Sequence, residues 1–241
     1  MKLSAPIYRL KREARVLSRQ EGIPLCLALD RIAAREGFAR WGLLAARHAA
    51  ESGAERLFSR LRPGNLVLVG ARPGQGKTLL GLNLAVEAMK AGRQGVFFTL
   101  EYAERECRER FRALGVDPAT FGGLFELDCS DQICAEHIVR RLSACAPGTL
   151  AVVDYLQLLD QRRETPELRE QMQALKAFAQ ERGVILVFIS QIDRSYDPAA
   201  KPCPDIDDVR LPNPLDLRLF DKACFLNEGE VRYVPSVAGR T

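Results

Sequence analysis

A glycine-rich stretch that ends in Gly-Lys-Thr is the first feature with chemical meaning. Residues 70–78 read GARPGQGKT, after the apolar run NLVLVG and before TLLGLNLAVEAMKAG, which has helical character. A strand before and a helix after are the context that a phosphate-binding loop requires. Main-chain N–H groups of such a loop converge on phosphate oxygens, and Gly74 and Gly76 let the backbone approach closely. A chance match on a surface loop would lack this context.

Within this loop the sequence assigns individual roles. Lys77 is predicted to reach the β- and γ-phosphates, and the Thr78 hydroxyl is predicted to ligate Mg²⁺. Ala71 stands where the standard pattern has its first glycine. The predicted nucleotide-binding residues are Ala71, Arg72, Pro73, Gly74, Gln75, Gly76, Lys77, Thr78 and Leu79.

Three polar side chains follow three other apolar runs. Glu101 follows VFFTL, Asp154 follows LAVV, and Gln191 follows VFIS. Because ligands bind at the carboxyl ends of parallel strands, these residues are predicted to meet beside the loop. Asp154 would hold the metal, Glu101 would be the base for an attacking water, and Gln191 would sense the γ-phosphate.

The overall composition is that of a globular chain. Of 241 residues, 47% are hydrophobic and 27% are charged, which excludes disorder as the main state. No apolar run approaches the roughly 20 residues of a membrane span, and the amino terminus lacks the apolar core of a signal peptide. Seven cysteines without a CxxC pair indicate reduced thiols, and Cys129, Cys134 and His137 have the wrong spacing for a zinc site. We therefore expect a cytoplasmic protein with no membrane partner.

The amino-terminal quarter differs from the rest in charge and texture. Residues 1–62 hold 13 Lys and Arg against 6 Asp and Glu, a net charge of +7, whereas residues 63–241 hold 22 against 25. Helical spacing of apolar residues predicts three short helices here. This basic module is predicted over residues 1–56. It could meet nucleic acid or an acidic partner, or form a solvated face.

From residue 65 onward, apolar strands alternate with amphipathic helices, which predicts a parallel sheet. Ser130 or Asp131 is expected to cap a helix that runs to Cys145. Residues 196–214 are predicted to form a long loop. The last stretch, KACFLNEGEVRYV, predicts a hairpin that turns at Glu228-Gly229.

The strings ARPGQGKT, VFFTLE, VVDYLQLL and VFISQIDR together resemble the RecA-like ATPase domain of DnaB-type replicative helicases, over roughly residues 57–235. The resemblance implies an α/β fold: a RecA-like P-loop NTPase with a mostly parallel twisted sheet flanked by helices, over residues 57–241. It also implies ATP and Mg²⁺ as cofactors. Carried over by position, the catalytic residues are Glu101, Lys77 and Gln191, and the metal residues are Thr78 and Asp154.

The resemblance further implies single-stranded DNA as a partner and a homo-oligomer, a hexamer by analogy. Arg162 and Arg163 fall where the first DNA-facing loop of the family lies, and residues 213–218 resemble the segment after the second. Arg194 and Tyr196 are further candidates for DNA contact. The family's basic segment near the carboxyl terminus has no match here, and Arg232 or Arg240 could substitute for it.

Two other functions remain open from the sequence. The first is a nucleotide-gated regulator or adaptor, in which ATP orders the loop at 196–214 and the basic module docks a partner. The second is a small-molecule kinase on the same phosphate loop. The strand-end Glu101 suits activation of water better than binding of a phosphate acceptor.

Overall fold

A computed structural model of the protein describes residues 3–160, 166–211, 213–235 and 237. Arg162, Arg163 and Arg240, three of the candidate DNA-contact or substitute arginines, lie outside the described residues. None of the helices in the described part of the chain combines the length and apolar character that a bilayer crossing requires. The helices are α1 (Ile7–Glu21), α2 (Leu25–Arg35), α3 (Trp41–Phe58), α4 (Lys77–Lys90), α5 (Glu104–Ala113), α6 (Ala135–Leu142) and α7 (Leu168–Arg182).

The strands form one seven-stranded sheet in the order β3-β2-β4-β5-β1-β6-β7. Neighbouring strands are parallel except β6 and β7, which form the predicted antiparallel hairpin. This arrangement confirms the α/β fold with a mostly parallel sheet. The strands are β1 (Leu66–Ala71), β2 (Gly95–Thr99), β3 (Phe125–Asp128), β4 (Leu150–Asp154), β5 (Ile185–Gln191), β6 (Lys222–Asn227) and β7 (Glu230–Val234).

The central strands of the sheet are buried almost throughout, because apolar side chains pack against both of its faces. One core packs α6 and α7 against the first face, with Phe98, Phe188 and Phe225 at its centre. The second core packs α3 and α4 against the other face, around Phe97 and Val152. The sheet is therefore a rigid platform whose carboxyl edge can hold polar side chains in fixed positions.

The amino-terminal helices have a small core of their own. Leu10, Ala14 and Ile32 from α1 and α2 meet Leu44 at the start of α3. The later part of α3 instead packs in the second sheet core, through Ala50 and Leu57 among others. The predicted boundary at residue 56 thus falls within α3, and the division into 1–56 and 57–241 stays a prediction.

The predicted cap of α6 is wrong. The helix begins at Ala135, after Cys134, and ends at Leu142. The Ala135 N–H donates to Gln171 Oε1 at 3.0 Å, so a side chain of α7 satisfies this end of the helix. Ser130 belongs to a separate turn, in which its hydroxyl accepts from the Gln132 N–H.

The β6–β7 hairpin turn contacts α3 directly. Glu228 and Gly229 both have positive φ, 48° and 82°, as a tight two-residue hairpin turn requires. A Cβ on Gly229 would lie 2.9 Å from the Cβ of Ala45 in α3. Helix and turn can therefore approach this closely only because residue 229 has no side chain.

We expect Gly229→Ala to lower the free energy of unfolding by about 1–3 kcal/mol, because the new methyl combines backbone strain with a clash. Urea denaturation measures this loss. Gly92→Ala is the matched control: its φ is 70°, but nothing lies within 4 Å of the added Cβ. Equal losses in the two variants would contradict a specific contact between the turn and α3.

Candidate functional site

The residues that precede the phosphate loop (residues 70–78) belong to a strand in the middle of the sheet. β1 pairs with β5 on one side and β6 on the other, and α4 begins at Lys77, within the last residues of the loop. Gly76 caps this helix with φ 86°. Its missing side chain also matters, because a Cβ there would lie 3.2 Å from the Ala46 carbonyl oxygen of α3. Strand, loop and helix thus have the arrangement that the sequence predicts.

Two further contacts fix the phosphate loop in place. Gln75 Oε1 accepts a hydrogen bond of 2.7 Å from the Glu228 N–H in the hairpin turn. The Gln75 N–H donates to the Arg72 carbonyl oxygen at 3.3 Å. Arg72 is half-buried, and Pro73 and Gly74 are exposed at the tip of the loop. The loop is therefore held on one side by α3 and on the other by the hairpin.

Parallel register brings the predicted strand-end residues to one edge. Thr99 of β2 lies opposite Asp154 of β4, and Ala71 of β1 lies opposite Gln191 of β5. Glu101 follows two residues after β2 ends, and its N–H donates to Thr99 Oγ1 at 3.0 Å. β2 therefore ends at Thr99, earlier than the sequence suggests, and the Glu101 side chain is exposed beyond the edge.

Asp154 is the most unusual group at this edge. It is 0% exposed, and neither carboxylate oxygen has a hydrogen-bond partner among the described residues. Burial raises the pKa of Asp154 to about 6. The adjacent Thr78 hydroxyl makes no well-formed hydrogen bond to Asp154, but it is the strongest influence that lowers this pKa. The negative charge of Glu101 raises the pKa further. A buried carboxylate without partners is a group that a cation would satisfy.

Lys77 and Thr78 complete this cluster. Lys77 is only 9% exposed and forms no ion pair with any residue for which the structure gives a position. Its charge lowers the pKa of Asp154. A nearly buried ammonium and a buried carboxylate beside one hydroxyl are groups that a phosphate and its metal ion would satisfy.

Gln191 links the edge to the loop that follows it. Its carbonyl oxygen accepts from the Arg210 N–H at 2.8 Å, and its Oε1 accepts from Arg210 Nη1 at 3.5 Å. Gln157, to which the sequence reading gave no role, donates from Nε2 to Ser190 Oγ at 3.3 Å and to the Arg210 carbonyl oxygen at 2.8 Å. The ends of β4 and β5 are therefore tied to one point of the loop.

Arg110 is a further candidate for the site, which the sequence pattern did not indicate. Its helix α5 carries two exposed ion pairs, Arg105 with Glu109 and Arg108 with Glu104, as a solvated face would. Arg110 instead lies over the Tyr102 ring, 4.0 Å from its centroid. Its charge also lowers the pKa of Asp154. The feature of the sequence that could have indicated this contact is Tyr102, an aromatic residue directly after Glu101.

Tyr196 was wrong as a candidate for DNA contact. It is 5% exposed, and its hydroxyl donates to the Lys201 carbonyl oxygen at 2.7 Å. Arg194 is exposed, as a contact residue would be. Both ring nitrogens of His137 have partners other than the cysteines: Nε2 is 2.8 Å from Asp128 Oδ2 and Nδ1 is 2.9 Å from Arg140 Nη2. Among the described residues, no group of three or more His, Cys, Asp or Glu side chains could hold a metal ion.

We expect Asp154→Asn to raise the free energy of unfolding by about 1–3 kcal/mol above pH 6, because the folded-state pKa exceeds the ordinary value of 3.8. The unfolded chain ionises first as pH rises, so the ionised carboxylate penalises folding fully above pH 6 and not below about pH 4. Urea denaturation at pH 8 and pH 4, with chelator and without nucleotide, measures the difference. Glu181→Gln, at an exposed position at the end of α7, is the control, and a less stable Asp154→Asn at pH 8 would contradict the expectation.

Comparisons with known proteins agree with this geometry. The family described as "ATPase: KaiC" matches residues 52–203. The replicative DNA helicase DnaB of Leifsonia xyli subsp. xyli (strain CTCB07) is 28% identical over 187 residues, which are 65% of this chain and 41% of that helicase. This chain therefore spans less than half the length of that relative.

Solved structures give the same fold. The structure of a DnaB-like replicative helicase, studied with its interactions with primase, aligns with TM-score 0.55 and 19% identity over 68% of this chain and 47% of that one. A KaiC-like protein of Pyrococcus horikoshii OT3 aligns with TM-score 0.51 and 21% identity, over 67% and 70%. The chain therefore belongs to the KaiC family of ATPases, with a RecA-like ATPase domain of the DnaB type.

Proposed function

We propose that this protein binds ATP with Mg²⁺ at the phosphate loop and hydrolyses it, and that it does so while acting on single-stranded DNA. The observation that carries the first part is the cluster of Lys77, Thr78 and the buried, unpartnered Asp154. The second part rests on the similarity to DnaB helicases. Unwinding and a hexameric ring belong to the same proposal.

The residues present fit a magnesium ion. Thr78 would ligate it through its hydroxyl, and Asp154 would hold it directly or through water with oxygens that have no other partner. When bound, the ion neutralises charge on the β- and γ-phosphates. Thr78 lies close enough to Asp154 to lower the pKa of that carboxyl, which supports their assignment to one metal site.

The remaining chemistry belongs to the protein. The Lys77 ammonium stabilises negative charge on the β- and γ-phosphate oxygens, and the N–H groups of the loop and of α4 bind the same oxygens. The exposed Glu101 carboxylate takes a proton from the attacking water. The water oxygen then bonds to the γ-phosphorus as the bond to the ADP oxygen breaks. Gln191 contacts the γ-phosphate and transmits its presence through Arg210.

The ordered state of the described residues in the loop at 196–214 supports this motor-like function. A regulator of the kind considered above would need ATP to order that loop. The loop after β5 is already held by a contact with β6 and by ion pairs within the loop. The Asn227 side chain donates to the Pro202 carbonyl oxygen at 2.8 Å, and Lys201 pairs with Asp205 and Asp208 at 2.7 and 2.8 Å. Because this loop contacts Gln191, bound nucleotide would change the position of a loop that is already folded.

We expect Lys77→Ala to lower ATP turnover at least tenfold, about 1.4 kcal/mol of transition-state stabilisation. Glu101→Gln should lose turnover similarly yet keep nucleotide affinity, since it acts on water rather than on phosphate. Steady-state hydrolysis and binding of a fluorescent ATP analogue separate the two.

Addition of single-stranded DNA should raise wild-type turnover. Turnover that DNA leaves unchanged at low salt would refute the DNA part alone.

We expect Arg110→Leu to reduce kcat about tenfold with little change in the KM for ATP. Arg110 packs on the ring of Tyr102, the residue directly after Glu101, and in this proposal it holds Glu101 in place rather than binding nucleotide. Tyr102→Phe keeps the ring and should retain activity, whereas Tyr102→Leu should match Arg110→Leu. Arg108→Leu is the matched control on the same helix, since Arg108 pairs with Glu104 away from the ring. Equal losses from Arg108→Leu and Arg110→Leu would disprove the positioning role.

A further inference from the structure

The outer side of α1 carries a row of exposed side chains that the proposed function does not use. They lie three or four residues apart and therefore on one face of the helix. This face points away from Leu10 and Ala14, which pack into the small amino-terminal core. We call this row the α1 stripe; it consists of Tyr8, Arg12, Arg15 and Arg19.

The three arginines of the α1 stripe have no acidic partner. None of them forms an ion pair with any residue in the described ranges. Glu21, an acid at the end of the same helix, forms an ion pair with Arg31 of α2. The contrast with α5 is direct, because Arg105 and Arg108 there are each paired with a glutamate one turn away. The positive charge of the stripe is thus uncompensated.

Other cations widen this positive surface. Arg9 and Arg35 line a groove between α1 and α2 together with Arg12, and the cavity measures about 620 Å³. Glu13 is the acid in that groove. Exposed cations on one face create a potential that attracts polyanions, and this face belongs to the segment with a net charge of +7.

Tyr8 adds an aromatic surface at one end of the stripe. It is 66% exposed, the highest value among the exposed large hydrophobic residues. An aromatic ring beside arginines suits a polyanion that also carries flat bases, because bases stack on such rings whatever their identity. Arginine clusters also bind acidic protein segments, but such a segment has no flat bases to stack on the exposed Tyr8 ring.

We propose that the α1 stripe binds single-stranded nucleic acid, with phosphates on Arg12, Arg15 and Arg19 and a base stacked on Tyr8. The site is separate from the phosphate loop, because α1 contributes no residue to either sheet core. It therefore needs neither nucleotide nor hydrolysis. Along the helix, Arg12 and Arg19 are about 10 Å apart at 1.5 Å per residue, a span that covers more than one phosphate.

The first test replaces all three arginines with glutamine in the full chain. Anisotropy of a fluorescent 20-nucleotide poly(dT), without ATP, should show at least a tenfold loss of affinity at about 100 mM salt. The slope of log K against log salt should fall by about 2, since each lost phosphate contact contributes about 0.7. The matched control replaces Arg105, Arg108 and Arg112 with glutamine, which removes the same charge from α5 and should change affinity less than threefold.

The second test addresses the stacked base. Tyr8→Ala should weaken poly(dT) binding about fivefold or more, and Tyr8→Phe should restore it, because only the ring is required. Thermal melts and DNA-free ATP turnover should match the wild type for every stripe variant, since all four side chains are exposed. Lys77→Ala should keep wild-type poly(dT) affinity, which separates this inference from the proposed ATPase.

Two results would overturn the proposal. One is poly(dT) binding with unchanged affinity and salt slope after loss of the three arginines. The other is a labelled poly-glutamate peptide that binds more tightly than poly(dT) and depends on the same arginines, which would assign the stripe to an acidic protein. Retention of the ATPase activity in either case would leave the function of the phosphate loop intact.

Discussion

The rest of the site depends on the burial of one carboxylate, that of Asp154. The fold places Asp154 at the end of a fully buried strand, where water cannot reach it and no described donor bonds to it. Such a group opposes folding when it is ionised, so the surrounding sheet must supply the stability. The seven-stranded platform with a core on each face does so. Strain of this kind is typical of positions that a ligand completes.

Precision at this edge comes from backbone pairing rather than from side chains. Thr99, Asp154, Gln191 and Ala71 are brought together because four parallel strands end at one edge in a fixed register. Side chains then refine the arrangement: Gln157 ties two strand ends to the loop, and Arg110 packs on the ring next to Glu101. A change of one residue in register would separate the groups that the chemistry needs together.

The sequence predicts the parts of this site that are local. The phosphate loop, the polar strand ends and the hairpin turn each occupy a short window whose pattern determines its structure. Contacts between distant windows were not predictable: Gln75 bonds to Glu228, 153 residues later, and Gln171 replaces Ser130 at the start of α6. Tyr196 was misjudged for the same reason, since its burial depends on the packing of a long loop.

Helix α3 joins two regions of unequal stability. The cluster it shares with α1 and α2 is small, whereas its later turns lie in a sheet core and its Ala45 and Ala46 contact the hairpin turn and the phosphate loop. Transient local opening should therefore release α1 and α2 while leaving these contacts formed. Amide hydrogens would exchange in two stages along one continuous helix, and the loop would lose its shape only in the second stage.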